Sequence, residues 1–82
     1  MKLYVKVWCP WCVDAIDWMK RQGYQFEQID VLADADAYDH MLAISGQRRT
    51  PTLELDNGDV LPDFDVRQLE KFLAERNILP PG

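Results

Sequence analysis

The chain has 82 residues, of which 48% are hydrophobic, and its formal net charge is −5 at pH 7. A chain of this length folds as one domain, over residues 1–82, and its acidic balance disfavours binding to the phosphate backbone of nucleic acids. It has no apolar run long enough to cross a bilayer and no charged-then-apolar signal segment at its start, so we expect a cytoplasmic protein with no membrane partner.

The first two predicted elements are a strand and a helix. Residues 2–7 alternate between apolar and polar side chains and are rich in β-formers, which predicts the first strand. From Pro10 onward the apolar spacing becomes that of a helix, which we expect to stop at Gly23. The predicted inner face of this helix consists of Cys12, Ala15, Ile16 and Met19.

A second strand and a second helix follow. Residues 24–31 alternate again and predict the second strand, which should lie parallel to the first because a helix joins them. The second helix begins at Asp34 or Asp36, where acidic side chains favour a helix start, and it ends at Ser45 before Gly46. Residues 47–51 form a polar loop.

The last part of the chain predicts a hairpin and a helix. Residues 52–55 and 60–61 are short strands, and Asn57-Gly58 between them is a strong antiparallel hairpin signal. The last helix covers residues 65–75, and residues 80–82 form a terminal tail. The order β-α-β-α-β-β-α predicts an α/β fold with a mixed four-stranded sheet flanked by helices.

The chemistry-bearing motif is the pair Cys9 and Cys12, the only cysteines of the chain. Two cysteines at this spacing, next to a βαβ pattern, indicate redox activity. Cys9 lies at the start of the first helix, where free N–H groups and the helix dipole favour a thiolate, the reactive form of cysteine. A structural zinc site usually needs four ligands, and besides the thiols there is only His40, so we expect no metal site.

The sequence Cys9-Pro10-Trp11-Cys12 after the first strand, with Thr50-Pro51 before the third, resembles the glutaredoxin family of the thioredoxin fold. The resemblance covers essentially the whole chain. The family motif is Cys-Pro-Tyr-Cys, so one aromatic residue replaces another here. Lys6, three residues before Cys9, matches a lysine common in the family. The resemblance implies that the Thr50–Pro51 peptide bond is cis and faces the two thiols.

The resemblance implies a thiol–disulfide oxidoreductase that reduces glutathione mixed disulfides or protein disulfides. Cys9 is then the nucleophile, and Cys12 is the less exposed resolving thiol with a raised pKa. Glutathione would be a co-substrate, with no tightly bound cofactor, and the reducing equivalents would come from glutathione or a reductase. We expect the protein to be a monomer.

Several further residues are candidates for substrate binding. Trp11 would give an apolar contact surface beside the thiols; Trp8 has the same interpretation or packs at the strand end. The backbone of Thr50 would hydrogen-bond to an extended substrate as an added strand. Gln47 or Arg49 would pair with the glycine carboxylate of glutathione, or the loop arginines are simply solvated. Asp63 or Asp65 would face the ammonium group of glutathione.

The chain departs from the family after the fourth strand. Glutaredoxins usually carry Gly-Gly and a polar pair there, whereas residues 61–65 read Leu-Pro-Asp-Phe-Asp. Phe64 is similar to a residue of the glutaredoxin-like redoxins that accept electrons from thioredoxin reductase and donate them to ribonucleotide reductase, which is the alternative function. A glutathione-dependent carrier of a two-iron, two-sulfur cluster is a third possibility, against which Pro10-Trp11 and Cys12 argue.

Overall fold

Four strands and three helices make up the computed structural model, which describes residues 1–80. The elements are β1 (Lys2–Val5), α1 (Pro10–Arg21), β2 (Glu27–Asp30), α2 (Ala35–Ser45), β3 (Thr52–Glu54), β4 (Val60–Pro62) and α3 (Val66–Glu75). The strands form one sheet in the order β2-β1-β3-β4. Among residues 1–80, no helix is both long and apolar enough to span a membrane.

The sheet is mixed, as the sequence predicted. β2 lies parallel to β1, with Tyr4 beside Ile29. β3 runs antiparallel to β1 and pairs Leu53 with Leu3, and β4 runs antiparallel to β3. The predicted α/β class and mixed four-stranded sheet are therefore confirmed.

The core lies on both faces of the sheet because neighbouring residues of a strand point to opposite faces. Leu3 and Val5 of β1 belong to the larger cluster, which also contains the buried residues of α1 and α3. Tyr4, between them, faces the smaller cluster with Met41 of α2 and Val31. The helix that begins at the two thiols thus packs on the same side of the sheet as α3.

Two strands are shorter than the sequence predicted. β1 ends at Val5 rather than at residue 7, because the chain turns and the Cys9 N–H donates to the Lys6 carbonyl at 3.1 Å. β2 begins at Glu27 rather than at residue 24, because the Tyr24 N–H donates to the Met19 carbonyl of α1 at 3.0 Å and not to a neighbouring strand.

The later elements differ from their predicted limits by single residues. β3 ends one residue early, at Glu54, and β4 extends to Pro62. The predicted hairpin is present, with the Leu55 N–H donating to the Asp59 carbonyl at 2.8 Å. Asp65 caps α3 rather than lying within it. Residues 81 and 82 of the predicted tail lie outside the described residues.

Candidate active site

Cys9 caps the N-terminus of α1. Its backbone is extended (φ −81°, ψ 117°), and Pro10 is the first helical residue, where its missing N–H has no cost. The Cys12 N–H donates to the Cys9 Sγ across 3.3 Å. The helix terminus thus directs a backbone donor at the sulfur, which is the geometry in which helix N-termini stabilise anions.

The loop before β3 covers the other side of Cys9. The Cys9 Sγ lies 3.5 Å from the Thr50 carbonyl oxygen and donates to it. The Thr50–Pro51 peptide bond is cis, in agreement with the resemblance, and both residues are buried. The Cys9 sulfur therefore lies between one backbone donor and one backbone acceptor.

Cys12 lies deeper than Cys9. Its exposed fraction is 1%, against 4% for Cys9, and both thiols are free. Burial, followed by the hydrogen bond with Cys9, raises the pKa of the Cys12 thiol to about 11. A thiol with this pKa is protonated at neutral pH, and the thiolate is the reactive form of cysteine, so Cys12 is a poor nucleophile at that pH.

A pocket of about 200 Å³ opens beside Cys9. Its walls come from the start of α1 and from the segments after β1, before β3 and after β4. The lining residues are Lys6, Trp8, Cys9, Pro10, Trp11, Arg49, Thr50 and Asp63. Trp8 and Trp11 are 69% and 58% exposed, so Trp8 forms part of the surface around the thiol and is not buried packing at the end of β1.

Lys6 lies at this pocket but directs its ammonium at the loop. Its Nζ donates to the Arg48 carbonyl at 3.0 Å and lies over the rings of Trp8 and Tyr38. The Tyr38 hydroxyl donates to the same carbonyl oxygen at 3.3 Å. Sequence reasoning missed Tyr38, because only the packing of α2 against the sheet brings it to the loop.

Gln47 is engaged within its own loop. Its side-chain Nε2 donates to Ser45 and to Thr52, and its Oε1 accepts from the Arg49 N–H at 2.6 Å. It does not line the pocket beside Cys9. Its contacts fix the loop that carries Arg49 and Thr50, so its predicted role with a glycine carboxylate stays a prediction.

The segment after β4 contributes one residue to the pocket. Asp63 has a positive φ of 48°, and its Oδ2 lies 3.3 Å from Nη1 of Arg49. Phe64 is only 3% exposed and belongs to the core cluster.

The Asp65 carboxylate accepts from the Gln68 N–H at 2.9 Å and caps α3. Phe64 and Asp65, with Trp11, Asp63 and Gln68, line a neighbouring pocket of about 190 Å³.

The predicted site residues therefore divide into two groups. Lys6, Cys9, Trp11, Arg49, Thr50 and Asp63 line the pocket at the thiol. Cys12, Gln47, Pro51, Phe64 and Asp65 do not line it, and they lie behind the thiol, within the loop or at the neighbouring pocket. Trp8, for which packing at the strand end was the alternative prediction, and Pro10, which was not predicted to bind substrate, complete the lining.

The family model for glutaredoxins matches residues 1–60, which include both cysteines and Thr50-Pro51. The chain belongs to the glutaredoxin family. The matched region of this glutaredoxin-family protein ends before residues 61–65, where its sequence departs from the family pattern. The family assignment thus rests on the part of the chain that holds the two thiols.

Similar proteins agree with this assignment. An uncharacterized glutaredoxin-like 8.6 kDa protein in the rubredoxin operon of Clostridium pasteurianum is 25% identical over 75 residues, which are 92% of this chain and 99% of that protein. The crystal structure of the thioredoxin-like protein BC3987 is 29% identical, with a TM-score of 0.78, over 88% of this chain and 97% of that one. The crystal structure of a mutant of BC3987 has the same identity and TM-score. The thioredoxin-like fold is thereby confirmed.

The raised pKa of Cys12 gives a measurable pH dependence. Burial is the main cause of the raised Cys12 pKa, and the Cys9→Ser variant retains it. The rate at which iodoacetamide alkylates Cys12 in this variant should therefore still increase with pH well above about pH 8.5, the ordinary pKa of a thiol. The measurement is the rate of mass gain between about pH 6 and pH 11. A plateau reached by about pH 9 would contradict the assignment of Cys12 as the protonated thiol.

Proposed function

We propose that this protein is a dithiol thiol–disulfide oxidoreductase in which Cys9 attacks the substrate and Cys12 resolves the intermediate. The observation that carries the proposal is the unequal placement of the two thiols. Cys9 lines a pocket and receives a backbone N–H at its sulfur, whereas Cys12 is buried one helical turn behind it with a pKa of about 11. Attack and resolution need this division of roles.

The reaction consists of two exchanges. The Cys9 thiolate attacks one sulfur of the substrate disulfide, a new S–S bond forms, and the other sulfur leaves as a thiolate that takes up a proton. Cys12 then loses its proton and attacks the Cys9 sulfur, which releases the second substrate thiol and leaves a Cys9–Cys12 disulfide. The substrate disulfide gains two electrons, and the protein dithiol loses two.

The surroundings of Cys9 suit a disulfide presented by an extended segment. The Thr50 carbonyl lies at the sulfur, and within residues 1–80 the Thr50 N–H has no hydrogen-bond partner. Both groups are available to a segment that lies along the loop as an added strand. The exposed rings of Trp8 and Trp11 provide apolar contact on the other side of the pocket. Protein disulfides and mixed disulfides of glutathione are the substrates that this proposal includes.

The oxidised protein needs a source of two electrons to return to the dithiol. Glutathione is the donor that family membership favours, and a thioredoxin-type reductase is the alternative. Neither donor requires a tightly bound cofactor in this chain. Because residues 61–65, where the family usually carries Gly-Gly, contain no glycine, the two donors need a direct experimental comparison.

Substituting each thiol separately should give two different outcomes. We expect Cys9→Ser to abolish the reduction of any disulfide, because no other thiol lines the pocket among residues 1–80. We expect Cys12→Ser to attack a protein disulfide and remain bound to it, because the resolving thiol is missing.

Intact-mass spectrometry after acid quenching measures the trapped species. The expected result for Cys12→Ser is a covalent 1:1 adduct that dithiothreitol removes, with no adduct for Cys9→Ser. An adduct formed at Cys12 in the Cys9→Ser variant at a comparable rate would reverse the proposed roles.

Coupled assays test the electron donor. With a mixed disulfide of glutathione as substrate, we expect NADPH consumption in the presence of glutathione and glutathione reductase, and none with Cys9→Ser. A parallel assay contains thioredoxin reductase instead. Turnover in that assay alone would contradict glutathione as the donor and assign the protein to the redoxins that accept electrons from thioredoxin reductase.

A further inference from the structure

The rim of the Cys9 pocket carries an ion pair between Arg49 and Asp63. The two side chains meet at 3.3 Å, and both line the pocket with the thiol. Arg49 comes from the loop before β3, and Asp63 comes from the segment between β4 and α3. The pair therefore joins the two segments that border the place where a substrate must approach Cys9.

Asp63 has a conformation that few residue types tolerate. Its φ of 48° lies in the left-handed region, which is sparsely populated except by glycine and, among other residues, by asparagine and aspartate. Asp63 and Trp11 also line both the Cys9 pocket and the neighbouring pocket. The backbone of this turn thus holds a carboxylate at the boundary between two pockets, within reach of Arg49.

The two basic side chains that line the pocket are already engaged. The ammonium of Lys6 donates to the Arg48 carbonyl, and the guanidinium of Arg49 faces the Asp63 carboxylate. A substrate carboxylate that approached Arg49 would have to displace Asp63 or share the guanidinium with it. An arginine without such a partner binds carboxylates through charge-assisted hydrogen bonds.

We propose that Asp63 is a specificity-determining residue that, among protein disulfides, selects against those flanked by carboxylates and so favours protein disulfides in uncharged, apolar segments. Because Asp63 pairs with Arg49, the guanidinium is not free to bind carboxylates beside the substrate disulfide. The negative charge of Asp63 also repels those carboxylates. The exposed rings of Trp8 and Trp11 supply contact area for an apolar flank. The inference rests on the proposed function, because it concerns the substrates of the same thiol.

The size of the effect follows from the exposure of the pair. The side chains of Arg49 and Asp63 are 79% and 47% exposed, so solvent screens their interaction. Exposed pairs of this kind change equilibrium constants by a factor of up to about five. We therefore expect the ratio of the rates for acidic and neutral substrates to change by a factor of that size. The change should arise when the substrate binds, and not when Cys12 resolves the intermediate.

The experiment uses two disulfide-linked peptide dimers that differ only in charge. Each peptide has a central cysteine between two leucines, and the outer residues are glutamate in one peptide and glutamine in the other. The reduced, desalted full-length protein supplies the two electrons itself, so no external donor enters. The second-order rate of formation of the Cys9–Cys12 disulfide is followed by tryptophan fluorescence and checked by intact mass.

Asp63→Asn is the test variant, because asparagine keeps the side-chain shape and tolerates the positive φ. Asp63→Gly is a second variant that removes the side chain at a conformation glycine adopts freely. Glu75→Gln is the matched control, because it makes the same change in net charge at the opposite end of α3. Arg49→Gln, alone and combined with Asp63→Asn, tests whether the effect passes through the ion pair.

We expect Asp63→Asn to raise the rate with the glutamate peptide by about two- to fivefold, and to change the rate with the glutamine peptide by less than about twofold. Glu75→Gln should leave the ratio of the two rates unchanged, and Arg49→Gln should remove most of the gain. Equal changes for both peptides, or no change in their ratio, would overturn the inference. If the wild-type dithiol is oxidised by neither peptide, the proposed reduction of protein disulfides fails instead, which distinguishes that failure from a failure of the inference about Asp63.

Discussion

The arrangement of the site depends on the hydrogen bond from the Cys12 N–H to the Cys9 sulfur at the start of α1. This one contact makes Cys9 the N-cap residue of α1 and holds the Cys9 sulfur against the first turn of the helix, which contains Cys12. On its other side the same sulfur lies 3.5 Å from the Thr50 carbonyl oxygen, and Cys9 lines the pocket. Because Ala15 and Met19 of the same helix are fully buried, the position of the sulfur is tied to the core of the molecule.

The two faces of the sheet contribute to the site in different ways. The face with α1 and α3 holds the thiols themselves, since Cys9 and Cys12 belong to its buried cluster. On the other face α2 supplies Tyr38, which joins Lys6 at the Arg48 carbonyl and so holds the loop that leads to Thr50. The helix that carries Cys9 and the helix that holds the loop opposite Cys9 thus lie on opposite sides of one sheet.

The sequence predicted the elements and the two thiols because those signals are local. The helix that begins at Pro10, the Asn57-Gly58 hairpin and the cysteine spacing each depend on a few neighbouring residues. The start of β2 was misplaced because the Tyr24 N–H bonds back to the Met19 carbonyl of α1, and the Tyr24 hydroxyl bonds to a carbonyl 54 residues away; the alternation of residues 24–31 reveals neither contact. The burial of Phe64 in the core cluster likewise depends on how separate segments meet, which periodicity does not encode.

A redox titration tests the central claim, that Cys9 and Cys12 form one two-electron couple, most directly. The full-length protein is equilibrated in dithiol–disulfide buffers of defined potential, quenched with acid, alkylated and analysed by peptide mass spectrometry. We predict a single two-electron transition to a Cys9–Cys12 disulfide, with a midpoint in the range of about −120 to −270 mV that known oxidoreductases of this kind span. The claim would be contradicted if both thiols remained open to alkylation at every potential, or if they formed only disulfides between two protein molecules.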